Sequence, residues 1–218
     1  MKRSTLVIVV MTLVAVAAIV ALIAWKEALD QRLGVEGYKQ ILQFSLITVI
    51  GGLVSVLYGE FKREQEQRAL YRAHLLGFYN GLLGQYNKSK KLRRLLRALV
   101  AKSSVLSAAD CEARYTELLM QLEEVQLEFE SCRRQVEVQG RVFPQHDFIV
   151  PLLETMQHSL RGVVREYEDG KFAHCGSISF TDLPHLRQYL VETADGGTFV
   201  AEVSRPFERI EGALLAEL

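Results

Sequence analysis

The chain reads as all-α: an N-terminal two-helix transmembrane hairpin followed by an antiparallel, coiled-coil-like helical bundle. Three features predict this. Residues 5–25 and 41–58 are uncharged apolar runs. Apolar residues from 111 to 136 recur in alternating steps of four and three. A basic block, with no acid from Gln67 to Ala109, precedes an acidic block in which Arg114 is the single base between Asp110 and Glu130. The 218 residues carry 26 basic and 26 acidic side chains, so the arrangement of charge informs where the total does not.

The first run, TLVIVVMTLVAVAAIVALIAW (Thr5–Trp25), spans roughly 30 Å at 1.5 Å per residue, the thickness of a bilayer core. The second, ILQFSLITVIGGLVSVLY (Ile41–Tyr58), is at the short end of the spanning range. A cleaved signal peptide is the rival for the first run, because Met1-Lys2-Arg3 looks like its basic start. The apolar stretch is too long for that, and no small residue stands at −3 from Ala24. The expected organisation is a short N-terminus (1–4), two spans (5–25 and 41–58), an outer loop (26–40) in which the first helix ends near Gly34, and a bundle over 59–218. Lys2 and Arg3 precede the first span, and Lys62, Arg63, Arg68 and Arg72 follow the second, whereas the bases of the loop are offset by acids. That pattern places both termini in the cytoplasm of a bacterial inner membrane. Ala17, Ala21 and Ala24 form a small-residue stripe on the first span; Gly51, Ser55 and Gly59 form one on the second. Packing within the hairpin uses part of each, leaving Ser55 and Gly59 for a second copy and so for a homo-oligomer.

Helices are expected over about 59–102, 108–138, 147–168, 183–193 and 205–218. The seam of the second is Cys111, Tyr115, Leu118, Leu122, Val125, Phe129, Cys132 and Val136, with Ser107 and Asp110 as a capping box and Gly140 then Pro144 closing it. Upstream, HLLGFYNGLLGQYNKSKKLRRLLRA (His74–Ala98) holds glycines at 77, 81 and 84. They share one helical face, which Leu92, Leu95 and Leu99 continue. A turn at Asn80-Gly81 is the standard reading. A continuous helix is preferred, in which Gly77, Gly81 and Gly84 form a notch filled by Phe129 from the neighbouring helix. That helix carries Lys90 about 45 Å past the second span, beyond the roughly 8 Å reach of lipid charge. The third helix buries Ile149, Leu153, Met156, Leu160, Val163 and Tyr167, with Pro151 near its first turn. KFAHCGSISF is a loop or short strand; Asp182 caps the fourth helix, which ends at Gly196-Gly197, and Ser204 caps the last, with Phe207, Ile210, Leu214 and Leu218 on its buried face.

Lys88, Lys90, Lys91, Arg93, Arg94 and Arg97 form the one concentrated charge cluster. The first reading is an ion-pair tip in which Arg93 meets Glu166, Glu168 and Asp169 of the third helix. An acidic protein partner is the second. A nucleic-acid site is the third, because aromatic interleaving is absent around 88–97. No catalytic signature emerges. The five histidines make no HExxH and the three cysteines no CxxC, so no metal, cofactor or catalytic residue is assigned. His174-Cys175 alone suggests a thiol nucleophile, and ADGGTF lacks the Lys-Ser/Thr of a P-loop. His158 is read as surface and His146-Asp147 as a helix cap.

Two N-terminal spans, a very short outer loop and a helical cytoplasmic domain resemble, in layout, the bacterial two-transmembrane effectors found beside defence systems. That resemblance carries over no functional residue; it implies an oligomer that perturbs the membrane. The residues themselves favour a non-enzymatic, membrane-anchored interaction or scaffold protein, with the effector as one alternative and a membrane-tethered nucleic-acid-binding protein as another.

Overall fold

The computed structural model describes residues 10, 14–15, 17, 19–21, 23–102, 105–106, 109–140, 142–143, 145–169, 178–179, 183–191 and 197–218. Most of residues 5–22, the Ser107 and Asp182 caps, Pro144, Gly196 and the His174-Cys175 pair lie outside that set, as do the side chains of Cys111 and Tyr167. The described residues are almost entirely helical. α1 runs over Lys26–Lys102 and is interrupted at Gly34. β1 (Val105–Leu106) follows, then α2 (Ala109–Val138), α3 (His146–Glu168), β2 (Ile178–Ser179) and α4 (Pro184–Leu190). A π-helical turn, Val200–Ser204, continues directly into α5 (Arg205–Leu215). The two short strands pair antiparallel, Val105 with Ser179 and Leu106 with Ile178. The chain divides into two compact units, Met1–Leu70 and Tyr71–Leu218.

In the first unit the only break in α1 is Gly34, at φ 73° and ψ 161°. Positive φ is open to glycine and costly to a side chain. The expected loop over 26–40 is therefore helical on both sides of one residue, as good helix formers such as Glu27, Ala28 and Gln31 favour. The described residues contain one helix long and apolar enough to cross a membrane, and none of its apolar window is buried in the fold. Phe44, Ile47, Val54 and Tyr58 are each more than half exposed.

In the second unit α1 passes through Asn80-Gly81 without interruption. Its buried stripe is Leu75, Phe78, Leu82, Tyr86, Ser89, Leu92 and Leu96, a cadence of threes and fours. α2 contributes Tyr115, Leu119, Leu122, Val125, Phe129 and Val136, with Leu118 and Cys132 at the margin. α3 buries Ile149, Leu153, Met156, Leu160 and Val163. α2 and α3 share the most extensive close backbone packing, while α1 packs against its neighbours at wider backbone spacing. Phe78 meets Phe143 edge-on at 4.9 Å, and Tyr86 stacks on Phe207 at 4.0 Å and 6°.

This arrangement corrects the expected notch. Gly77, Gly81 and Gly84 are exposed, and a Cβ at any of them would meet nothing within 4 Å. Phe129 is fully buried, but in the core stripe of α2. The heights were close: Lys88 meets Glu124 at 2.7 Å and His74 Nε2 meets Gln139 Oε1 at 2.9 Å, so Gly81 stands near residue 131. The error was one of azimuth. Leu82, one residue on, turns inward and takes the core position, which leaves Gly81 facing a groove. Leu95, expected on the packed face, is 43% exposed.

Two outcomes of opposite sign test this placement by thermal melting of the full chain. Leu82→Ala should cost about 2–5 kcal/mol by opening a core cavity. Gly81→Ala should gain about 1 kcal/mol from helix propensity, with no clash to offset it; a filled notch would make it destabilising.

Candidate interaction surface

The side chains of the predicted basic cluster divide among different surroundings. Lys88 donates to Glu124 Oε2 at 2.7 Å across the α1–α2 groove. Lys90 Nζ lies 5.1 Å from the Tyr86 ring centroid. Arg93 turns inward: its Nε donates to the Tyr189 carbonyl at 2.9 Å, and its Nη2 reaches the carbonyls of Leu190 and Val191, each at 3.4 Å. Its guanidinium also lies 4.9 Å from the Phe199 ring. Lys91, Arg94 and Arg97 are exposed on the outer side of α1.

The expected pairing of Arg93 with the acids ending α3 is replaced by something less direct. Glu166, 7% exposed, accepts the backbone N–H groups of His185 at 2.7 Å and Leu186 at 2.9 Å. These are first-turn donors of α4, which lacks a side-chain cap of its own. Arg93 binds carbonyls at the other end of the same helix. A carboxylate at the N-terminus and a guanidinium at the C-terminus match the helix dipole in both places. The two charges therefore bracket α4 instead of touching each other. Glu168 and Asp169 are exposed.

The last helices close over α1 through aromatic rings. Tyr86 is sandwiched against Phe207 and, at 6.5 Å, Phe199; Tyr189 meets Phe199 edge-on at 5.3 Å. The Tyr86 hydroxyl donates to Ser204 Oγ at 3.2 Å. Ser204 was expected to cap α5, but it lies inside the π-helical turn with helical angles and makes no cap bond. Gly197 is fixed by close approach: a Cβ there would fall 2.0 Å from the Val191 carbonyl oxygen. Phe207, Ile210 and Leu214 are buried, and Tyr79 Oη donates to Glu211 Oε1 at 2.5 Å, a bond that raises the phenol above its usual range.

Two concave features remain. A cleft of about 570 Å³ between α3, α4 and the π-helical turn includes His158, Ser159, His185 and Glu202. His158 Nδ1 donates to the Glu154 carbonyl at 2.9 Å. Among the described residues there is no group of three potential metal ligands. The cleft's lining comes from three separate segments with no shared motif, and no sequence pattern marks it. The second, a groove of about 410 Å³, runs between Gly77 and Gly81 on α1 and Glu128, Ser131 and Gln135 on α2, with Cys132 at its floor. Burial, reinforced by the charge of Glu128, pushes the Cys132 thiol up to about 11.

Comparison of the sequence with protein-family models and curated proteins, and of the fold with solved structures, gave no match.

Two measurements follow from this geometry. Glu166→Ala and Arg93→Ala should each cost about 1–3 kcal/mol, the range for hydrogen bonds to charged groups. Both free the same short helix, so the double variant should cost less than the sum; strict additivity would mean that the two ends act independently. Separately, Cys132 should react with iodoacetamide at pH 8 about 100-fold more slowly than an ordinary thiol, because the thiolate is the nucleophile and two pH units separate the groups. Peptide mass analysis reads that residue directly.

Proposed function

We propose that this chain is a non-enzymatic, membrane-anchored interaction or scaffold protein, whose N-terminal hairpin inserts in a bacterial inner membrane with both termini in the cytoplasm. The observation that carries the reading is the apolar helix of the first unit, none of whose apolar window is buried by the fold. In water that surface would be a liability; in lipid it is the solvated face. Partial shielding recurs on it at Leu42, Ser45, Val49, Leu53 and Val56, and on the preceding segment at Ala15 and Ile19. A lone helix would be exposed all round, so this periodic shielding supports a hairpin. Tyr58 and Phe61, followed by Lys62 and Arg63, form the aromatic and basic boundary expected where a span meets the cytoplasm. In the second unit the chemistry-bearing groups that the structure describes cap a helix, as Glu166 and Arg93 do, or line the cleft of His158 and His185, which favours binding over catalysis.

The effector reading is supported by one feature. Gly51, Ser55 and Gly59, together with Gly52, are exposed, and the glycines have open space where a Cβ would stand. Small residues at such positions let membrane helices approach closely. Nucleic-acid binding is disfavoured, because Lys88 and Arg93 are engaged within the bundle.

The anchor is tested by alkaline carbonate extraction of membranes from expressing cells. The chain should stay in the pellet; release into the supernatant would reject the hairpin. Expression with and without Gly51→Leu/Ser55→Leu separates the two roles. Growth arrest lost in the variant supports a lesion built from packed spans, and harmless expression of both supports the scaffold.

A further inference from the structure

We propose that the α1–α2 face of the second unit is a self-association surface, paired with the same face of a second copy about a two-fold axis running along the groove. This deepens the interaction reading by naming the partner. Three independent features of the face converge on it.

The outer side of α1 lacks the charge that a solvated helix carries. From Ala73 to Asn87 there is no charged residue, and the exposed stripe at 73, 77, 80, 84 and 87 holds only Ala, Gly and Asn, with the exposed Leu76 at its edge. The outer side of α2 is the converse. Met120, Leu127 and Val138 lie on one exposed stripe, 60%, 53% and 86% accessible. Large apolar groups in a row on one helix and small residues in a row on its neighbour are the two halves of a knobs-into-holes contact.

They also match in height. Lys88–Glu124 and His74–Gln139 set the antiparallel register. Leu127 therefore stands level with Gly84, and Val138 level with Ala73 and Gly77. Within one chain these groups sit side by side and face outward, so they cannot engage. A two-fold axis parallel to the helices preserves height and brings α1 of one copy against α2 of the other. Each Leu127 then meets the partner's small stripe, and the contact occurs twice, as an isologous interface requires.

Charge agrees at the far end. Lys91 and Arg94, both exposed, stand level with Glu117 and Gln121 of α2. Glu117 is exposed and receives only a long bond, 3.4 Å, from Gln121 of its own helix. The same rotation sets the bases of each copy against the acid of the other, which adds selectivity and register. An unrelated basic or neutral helix would not satisfy both ends of the face.

The test uses the full chain in detergent micelles, with mass measured by light scattering over a concentration series. The wild type should show a monomer–dimer transition. Leu127→Glu, at an exposed position, should shift its midpoint at least about tenfold to higher concentration while leaving the melting temperature unchanged when both proteins are melted as monomers, below the midpoint. Lys91→Glu/Arg94→Glu should weaken the dimer similarly, and adding Glu117→Lys should restore it. A wild type monomeric throughout overturns the proposal, and so does one that gains mass only with an added second protein. A dimer indifferent to Leu127→Glu overturns it too, placing association elsewhere. Carbonate extraction is read separately, so loss of the dimer and loss of the membrane anchor are distinguishable outcomes.

Discussion

The closure of the bundle depends on two charges that hold the ends of a helix too short to hold itself. α4 has seven residues, well below the roughly 12–15 at which an isolated helix becomes marginal. Its N-cap residue, Leu183, offers no side-chain cap, and Glu166 supplies one from α3. Its last carbonyls are met by Arg93 from α1. Burying a carboxylate is expensive unless it is hydrogen-bonded, and two short bonds to backbone N–H groups meet that condition. α4 in turn places Tyr189 and the Phe199 segment over α1. Without the bracket, the aromatic cover of Tyr86 would have no fixed position.

Spacing between helices follows from side-chain size. α2 and α3 approach closely through Leu, Val and Met. α1 stands further off because Phe78, Tyr86 and their partners Phe143 and Phe207 fill the gap. A helix held away by rings on its inner side leaves a groove beside it, and the glycines of α1 widen that groove. They have no packing role inside the chain, which is the physical reason to look for their use outside it.

Much of the architecture was legible. The four-three seam of α2 and the apolar face of α3 marked core positions, because burial of a helical face imposes its period on the sequence. The continuity of α1 through Asn80-Gly81 followed from stripe logic, against the turn chemistry of that dipeptide. The notch failed for the same kind of reason that the seam succeeded. Leu82 and Gly81 are adjacent and point about 100° apart, and periodicity alone does not say which of two plausible stripes faces a given neighbour. The site was less legible still. Arg93 and Glu166 lie near the same bundle end, which suggests a direct pair; the helix interposed between them was predicted, but not that Glu166 would meet its first N–H groups.

By itself the sequence determined the helical class, the exposed apolar segment and the core stripes, since these depend on local period and composition. Tertiary structure alone decided that Arg93 reaches the carbonyls ending α4, that Ser204 accepts a phenol instead of capping, and that the α1 glycines at 77, 81 and 84 have open space where a Cβ would stand. Each of those outcomes depends on the relative rotation of helices about their axes, which is set by how large side chains from distant segments fit together and leaves no periodic trace in the chain.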